Sequence, residues 1–503
     1  MTILILLGWF LLASVVTPFL KKESLLYASS LFFGILGSIG VFGLVWYGWK
    51  FGWQSVVSIP WALSPFAALM LVLIAIVYLA AVLVSQRYLR VEFAAKIFDL
   101  GHIRRFFALQ HLFMLAMLAA VLADHMGIIW IALEGATLAT TLLVSFYRKD
   151  GAVEAAWKYI ILCSVGMTLG LFGILLFVHA AIQAGLGANE ALSLTHIRTV
   201  AAHLDPTTMK WAFVFIFVGL GTKVGFVPMH TWLPDAYSKT PSPISAMLSG
   251  ALSSIAFLTI LRFQTIVNIT LTDSKWTSHL FAMFGLISVV FAAFILLQSR
   301  NYKRTLAYSS IEHAGLMAFA VSLGPIGMVP AIIHMIGHTL AKSLLFFEAG
   351  EVLLAYHTTK TEGVSGLQTR LPITSRLGIL GLLALLAVPP SPLFLSELLI
   401  LSLGMQVRPW MTACLVIALT IIAYGMIRTA LQMWAVRKPR ETGSGSAGDG
   451  HVAHTEVVKE PFHITHAVAL AQIILLIGAG LILFTRPGLQ GVLTIAQSLS
   501  LPL

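Results

Sequence analysis

Residues 221–243 read GTKVGFVPMHTWLPDAYSKTPSP, and they decide the fold. The stretch sets a lysine, Lys223, inside an apolar helix and a proline, Pro228, five residues later. A charge at membrane depth costs roughly 2.5–3.5 kcal/mol on insertion scales, and such residues tend to mark ion or proton paths. A proline at that depth frees a backbone carbonyl and breaks the helix, which is tolerated only where protein or water lines the gap. An ionisable side chain beside a broken helix is what a transport site needs.

The rest of the chain carries the same reading. Of 503 residues, 58% are hydrophobic and 10% charged, and mean hydropathy is +0.93. A soluble domain carries about 25% charge. The composition therefore predicts an all-α, polytopic membrane protein packed as one bundle. About fourteen apolar segments are long enough to span, at 3–20, 25–49, 61–84, 106–123, 127–147, 155–183, 209–229, 242–262, 277–298, 305–323, 326–355, 376–403, 410–435 and 463–485. The first lacks a small-residue cleavage pattern before Lys21 and Lys22 and reads as a retained helix. Cys163 and Cys414 lie in apolar runs and read as small core residues.

Charge sets the orientation. With the N-terminus outside, twenty of the thirty-one basic residues fall on the inner side and seven on the outer, as the positive-inside rule requires. The even count puts both termini outside. The net charge of +11 is then topology and attraction to anionic lipid, not nucleic-acid binding. Residues 184–208 read as an outer loop. Residues 437–461, rich in Gly and Ser, read as a flexible inner linker, where His451 and His454 are more simply solvated than metal-bound.

The intramembrane ionisable residues are few. Glu134 stands one turn into the fifth span. Glu154 and Lys158, four apart at the start of the sixth, can pair on one helix face. Glu312 and His313 sit on the tenth span, where facing the inner surface is the plain alternative. His334, His338 and Lys342 recur every four residues and share one face of the eleventh. Glu397 follows VPPSP on the twelfth, a second helix broken at Pro389, Pro390 and Pro392. Asp124 and His125 mark a helix end and read as water-facing; Arg428 reads as bonding a neighbouring helix or snorkelling. A lone histidine more often joins two helices than carries a proton. Glu154 with Lys158 is as readily a structural ion pair as a relay. Glu134, Lys223, Lys342 and Glu397 resist such explanations, being charges central to separate spans.

Proton transfer suits this set. Burial lowers a lysine's proton affinity and a nearby carboxylate raises it, so changing the carboxylate switches the lysine. Histidines bridge gaps because they titrate near neutral pH. Thr222, Ser249, Ser253, Ser254 and Thr339 are polar enough to hold connecting water. No P-loop, dinucleotide fingerprint, nucleophile elbow or metal-ligand spacing is present, so no cofactor is expected on this chain.

GTKVGFVPMHTWLPDAYSKTPSPISAMLSG, YKRTLAYSSIEHAGL at 302–316, HMIGHTLAKSLLFFEAG at 334–350 and VPPSPLFLSELLIL at 388–401 resemble the antiporter-like, proton-conducting subunits shared by respiratory NADH dehydrogenase (complex I), membrane-bound hydrogenases and Mrp-type cation/proton antiporters. The resemblance covers about residues 60–435. WIALEGATLATTLLVSFYR and EAAWKYIILCSVG look most like the hydrogenase-4 or formate-hydrogenlyase type F subunit. It implies two inverted five-helix repeats, each with a broken helix: 106–262 as the first half-channel and 277–435 as the second, with helices 1–3 at 1–105 before them, the linker 437–461 after them, and a C-terminal transmembrane helix at 463–503. It pairs Glu134 with Lys223 in the first half, puts His334, His338 and Lys342 on the central axis, and makes Glu397 the exit residue. Many members carry a lysine on the eighth helix where this chain has Ser254, so the halves must be linked through water, serine or the eleventh-helix histidines.

The resemblance implies a proton-translocating subunit of a redox-driven complex in a prokaryotic cytoplasmic (inner) membrane. Its partners would be other membrane subunits and a peripheral cytoplasmic catalytic module holding the redox cofactors. With a short chain end after the fourteenth helix, it is expected to stand beside those subunits without a long lateral helix. The alternative is a non-redox cation/proton antiporter, with Na+ as a second ion, or a proton-coupled bicarbonate/CO2 uptake system.

Overall fold

The computed structural model describes residues 2–56, 60–436 and 460–500. Most of the linker expected at 437–461, with His451 and His454, lies outside them. The described chain is helical, with no β-strand among its elements.

The first helices are α1 (Thr2–Val16), α2 (Glu23–Phe51), α3 (Pro65–Ala94), α4 (Leu100–Leu122), α5 (Met126–Val144) and α6 (Asp150–Gln183). The outer loop contains the short α7 (Leu194–Thr199). Next come α8 (Pro206–Val224), α9 (Leu233–Lys239), α10 (Ser242–Met247), a π-helical turn at Leu248–Leu252 and α11 (Ser253–Leu271). The second half holds α12 (Lys275–Gln298), α13 (Tyr302–Val321), α14 (Met328–Tyr356), α15 (Leu367–Arg370), α16 (Pro372–Leu385), α17 (Pro392–Val407) and α18 (Pro409–Trp434). The chain closes with α19 (Ile464–Leu483) and α20 (Arg486–Ser500). Eleven described helices are long and apolar enough to cross a membrane, and α16 and α17 are shorter apolar helices.

Three boundaries differ from the sequence reading. The seventh span ends at Val224, before Pro228, because Gly225 caps it in the left-handed region (φ 91°). Glycine is required there on two counts: the backbone sign, and a Cβ that would lie 2.5 Å from the Leu233 side chain. Pro228 sits within the turn that follows. The twelfth span is two helices, interrupted at residues 386–391. Pro392 does not break it but starts α17 at the first helical position, where a proline's missing N–H is no loss. Past α19 the chain turns into a further amphipathic helix, α20, where only one spanning helix was expected. It packs on α3, α14 and α19 through Val492 and Ala496.

Small residues set the closest helix pairs, as expected where lipid supplies no hydrophobic drive between helices. Gly166 and Gly173 of α6 let α8 approach until a Cβ on Gly219 would lie 2.5 Å from the Gly166 carbonyl. Gly285 of α12 and Gly315 of α13 repeat the device: a Cβ on either would stand 2.7 Å from the other's carbonyl. At the end away from the basic loops, Asp124 accepts hydrogen bonds from Ser193 and Thr195, and Arg262 donates to the carbonyls of Val121 and Ala123. Asp124 is thus a clamp on the 184–208 loop, not the open helix end expected. At the start of α8, hydrogen bonds from Thr208 hold the Asp205 carboxyl below the usual carboxylate range.

Gly219→Val forces α6 and α8 apart at the level of Lys223. Overpacking of this kind costs about 1–3 kcal/mol. The expected outcome is a lower unfolding temperature in detergent, with no comparable drop for Gly378→Val, where a Cβ meets open space. Equal stability of both variants would show that the close contact is not required.

Candidate functional site: a buried row of ionisable side chains

Lys223 is the penultimate residue of α8, 1% exposed. Its ammonium bonds to the Thr137 hydroxyl of α5. Glu134 lies one turn earlier on α5, more than two turns into that helix and not one as expected. Its carboxylate accepts from Ser164 at 2.6 Å and from Thr137 at 3.4 Å. The pair inferred from sequence is real in placement but not in direct contact: Thr137 stands between them. Its signal was the TLATT run one turn after Glu134, read only as helix.

From the break the path turns into α10 and the π-helical turn, which packs on α14. Such turns are rare and recur at functional sites. The Gly250 carbonyl there is taken by Thr339 of α14 at 2.7 Å. Ser249 bonds Ser310 of α13 at 2.9 Å, and Ser253 bonds the Ser249 carbonyl. Ser254 is buried with its hydroxyl unpartnered.

Lys342 is fully buried, its ammonium bonded to the Leu306 carbonyl at 2.7 Å and to Ser309. Glu312, on the same helix as Ser309, lies within electrostatic reach of Lys342. Glu312 and His313 do not face the inner surface; both are buried. His313 Nδ1 meets His334 Nε2 at 2.9 Å, and His334 Nδ1 meets Ser396 Oγ at 2.9 Å. His338 packs against the His313 ring, with both of its nitrogens lacking a protein partner. Glu397, one residue past Ser396, brings a carboxylate oxygen within 4.8 Å of the His313 and His334 nitrogens. The sequence stripe His334–His338–Lys342 is therefore one wall; α13, through Ser309, Glu312 and His313, supplies the other.

Two expected residues lie elsewhere. Glu154 and Lys158 pair at 2.6 Å, and Lys158 also meets Asp235 of α9 at 3.1 Å, which Arg304 bonds as well. Glu154 and Lys158 are exposed, so this network belongs to the basic end of the bundle and not to the buried row. Arg428 is exposed too. Conversely, Lys303, read from sequence as a loop charge, is fully buried and donates to the Thr240 carbonyl at 2.7 Å. It lies within reach of Glu92, which accepts from Tyr147 at 2.8 Å. The spacing of Tyr88 and Glu92 at the end of α3 was the signal available for this cluster.

The sequence family described as NADH:quinone oxidoreductase/Mrp antiporter, TM, matches residues 123–423. A hydrogenase-4 component F homolog of Methylacidiphilum infernorum (isolate V4) is 36% identical over 368 residues, 72% of this chain and 76% of the relative. Two solved structures share the fold. A chain of the membrane-bound sulfane sulfur reductase, an archaeal respiratory membrane complex, superposes with a TM-score of 0.82 at 23% identity, covering 99% of this chain and 97% of that one. A chain of the Mrp complex from Dietzia sp. DQ12-45-1b gives 0.79 at 19% identity, covering 99% and 96%.

If Thr137 couples Glu134 to Lys223, Thr137→Val should slow proton transport roughly tenfold, because an unpartnered buried donor costs about 1–3 kcal/mol. Combined with Glu134→Gln it should add little, as expected for residues acting in one unit. Proton uptake into vesicles measures this; fully additive losses would mean that the two residues act separately.

Proposed function

The chain belongs to the NADH:quinone oxidoreductase/Mrp antiporter membrane family, and from that premise we propose that this multi-pass membrane protein is the proton-translocating subunit of a multisubunit redox-driven complex. One observation carries the reading. Titratable side chains line a buried row from Lys223, past the serines of the π-helical turn, to Lys342, His338, His313 and His334, with the half-buried Glu397 at its end. Charged groups enter a low-dielectric interior only at high cost, and packing alone gives no reason to gather so many.

In this reading Glu134, through Thr137, sets how tightly Lys223 holds its proton. Glu312 does the same for Lys342. A proton leaving Lys342 passes the histidine cluster, whose rings accept at one nitrogen and release at the other, and reaches Glu397. The halves 106–262 and 277–435 act as the two inverted repeats, with the basic loops on the inner side of a prokaryotic cytoplasmic membrane. Glu154 and Lys158 serve as a surface ion pair near the inner end and not as carriers.

The 36% identity to a hydrogenase-4 component F homolog, over 72% of this chain, supports a redox setting. The redox cofactors then reside on partner chains, in a peripheral module.

The test uses the whole complex, reconstituted in vesicles with assembly verified for each variant. Lys223→Ala, Lys342→Ala and Glu397→Gln should each abolish substrate-driven proton uptake, while Glu397→Asp retains part of it. Single changes at His334 or His338 should be milder. Parental pumping by Glu397→Gln would remove the exit role. Full pumping by both lysine variants would overturn the function. Sodium-dependent proton exchange in vesicles without any redox substrate would favour the antiporter alternative.

A further inference from the structure

A second polar cluster lies apart from this row, at the basic end, where the first turn of α19 meets the C-terminal half of α14 and the start of α16. Its sequence source is Glu460-Pro461-Phe462-His463-Ile464-Thr465-His466, three donors at successive steps of three residues. His463 is the N-cap of α19 and His466 closes the first turn, so one helical turn brings both imidazoles to one side. Their rings stack with centroids 3.7 Å apart. Glu460 Oε1 lies 3.1 Å from His466 Nε2, and Glu351 Oε2 lies 3.5 Å from His463 Nε2.

The geometry points to a site for a divalent transition cation of the zinc class, held by Glu460, His463 and His466 and bordered by Glu351. One donor atom from each of the three lies within 4.8 Å of the others. Bonds of about 2.1 Å in a tetrahedral shell set donor atoms roughly 3.4 Å apart, close to the two spacings above. Carboxylate with imidazole is a donor set that zinc accepts.

An unpartnered buried carboxyl is the independent argument. Glu348, Glu351 and Glu460 are all buried here. The facing cation is Arg87 of α3, bonded to both oxygens of Glu351 at 3.2 and 3.0 Å. The remaining neighbours are neutral: the Thr374 and Thr465 hydroxyls, which donate to Glu460 and Glu351 at 2.6 Å each, and the backbone N–H groups of Ile373 and Thr374 at the start of α16, which also donate to Glu460. Glu351 and Glu460 are thus set against one guanidinium. Glu348 is 3% exposed and in the field of Glu351 and Glu460. Neither of its oxygens has a donor in hydrogen-bonding geometry, the Thr374 hydroxyl being committed to Glu460. A Glu460–His466 contact leaves both Glu348 oxygens without a partner; a cation bound beside them would offset the carboxylates gathered here. Bound there, it would fasten the first turn of α19 to α14 and α16, beside the Gln472–Ser343 hydrogen bond of 2.8 Å that joins α19 to α14.

The experiment uses the full chain in its complex, treated with a chelator and titrated with Co2+ and then Zn2+. The expected result is one added Co2+ per chain with the visible absorption of a tetrahedral site, displaced by Zn2+, and a zinc-dependent rise in unfolding temperature. His463→Gln, at the half-buried cap, should weaken binding at least tenfold. Glu460→Gln, which keeps shape and removes the carboxylate ligand, should weaken it as well. Wild-type complex with neither the absorption nor the zinc-dependent shift overturns the proposal. So does unchanged Co2+ binding by His463→Gln, which would assign the metal to a partner subunit.

Discussion

A lysine ammonium has three donors and no acceptor, and inside a membrane it must find acceptors in protein. The architecture of this chain follows from that requirement. Lys223 takes the Thr137 hydroxyl, Lys342 the Leu306 carbonyl and Ser309, and Lys303 the Thr240 carbonyl at the C-terminal end of α9. Regular helix consumes its own carbonyls, so acceptors for a buried cation come from helix ends, from side-chain hydroxyls or from carbonyls shared with a helix bond. The break after Val224 and the short α9 create one such end, whose partial negative charge suits a cation. Each lysine is held by neutral partners, with a carboxylate near but not touching. That leaves its proton affinity open to control by a charge a few ångströms away.

Such control requires rigid spacing, and the glycine pairs supply it. Gly166 and Gly170 against Gly219, and Gly173 against Ala212 and Ile216, lock α6 to α8, which carries Lys223; Gly285 against Gly315 locks α12 to α13, which carries Ser309, Glu312 and His313. Helices in backbone contact have little freedom to slide. Motion is then left to the interruptions, at 225–232, which follows Lys223 and Val224, and at 386–391, which precedes the helix carrying Glu397.

What is legible in the sequence divides along a physical line. A charge in the middle of an apolar run is conspicuous, so Lys223, Lys342, Glu134 and Glu397 stand out from their neighbours in the chain alone. Period four puts His334, His338 and Lys342 on one wall. Near the ends of spans the signal fails, because a charge there reads equally as loop. Lys303, Glu348 and Glu351 are buried by helices distant in sequence, and their own neighbours in the chain do not report that. The same ambiguity runs the other way for Glu154 and Lys158, whose pairing is legible but whose exposure is not. Helix breaks are visible from proline, yet their edges are set by Gly225 and by Ser391 with Pro392 as a helix start. The fate of Asp124 depends on Ser193 and Thr195, sixty-nine and seventy-one residues away.

The middle of the row bears on the residue in which this chain departs from many relatives it resembles. Where they carry a lysine, Ser254 offers a hydroxyl on the first turn of α11, just past the π-helical turn. A serine cannot store a proton at neutral pH; it can only pass one along a hydrogen-bonded chain. The structure provides the pieces of such a chain beside it. Ser253 bonds the Ser249 carbonyl, and the Ser249 hydroxyl reaches Ser310. Ser310 adjoins Ser309, which holds the Lys342 ammonium. The π-helical turn matters here because its wider winding presents Ser249 to α13 while Thr339 takes the Gly250 carbonyl on the α14 side. In the proposed proton path, hydroxyls and not a third charged relay would then join the two halves. On that proposal storage would fall to Lys223 on one side and Lys342 with Glu312 on the other, and a proton crossing between them would pass along hydroxyls.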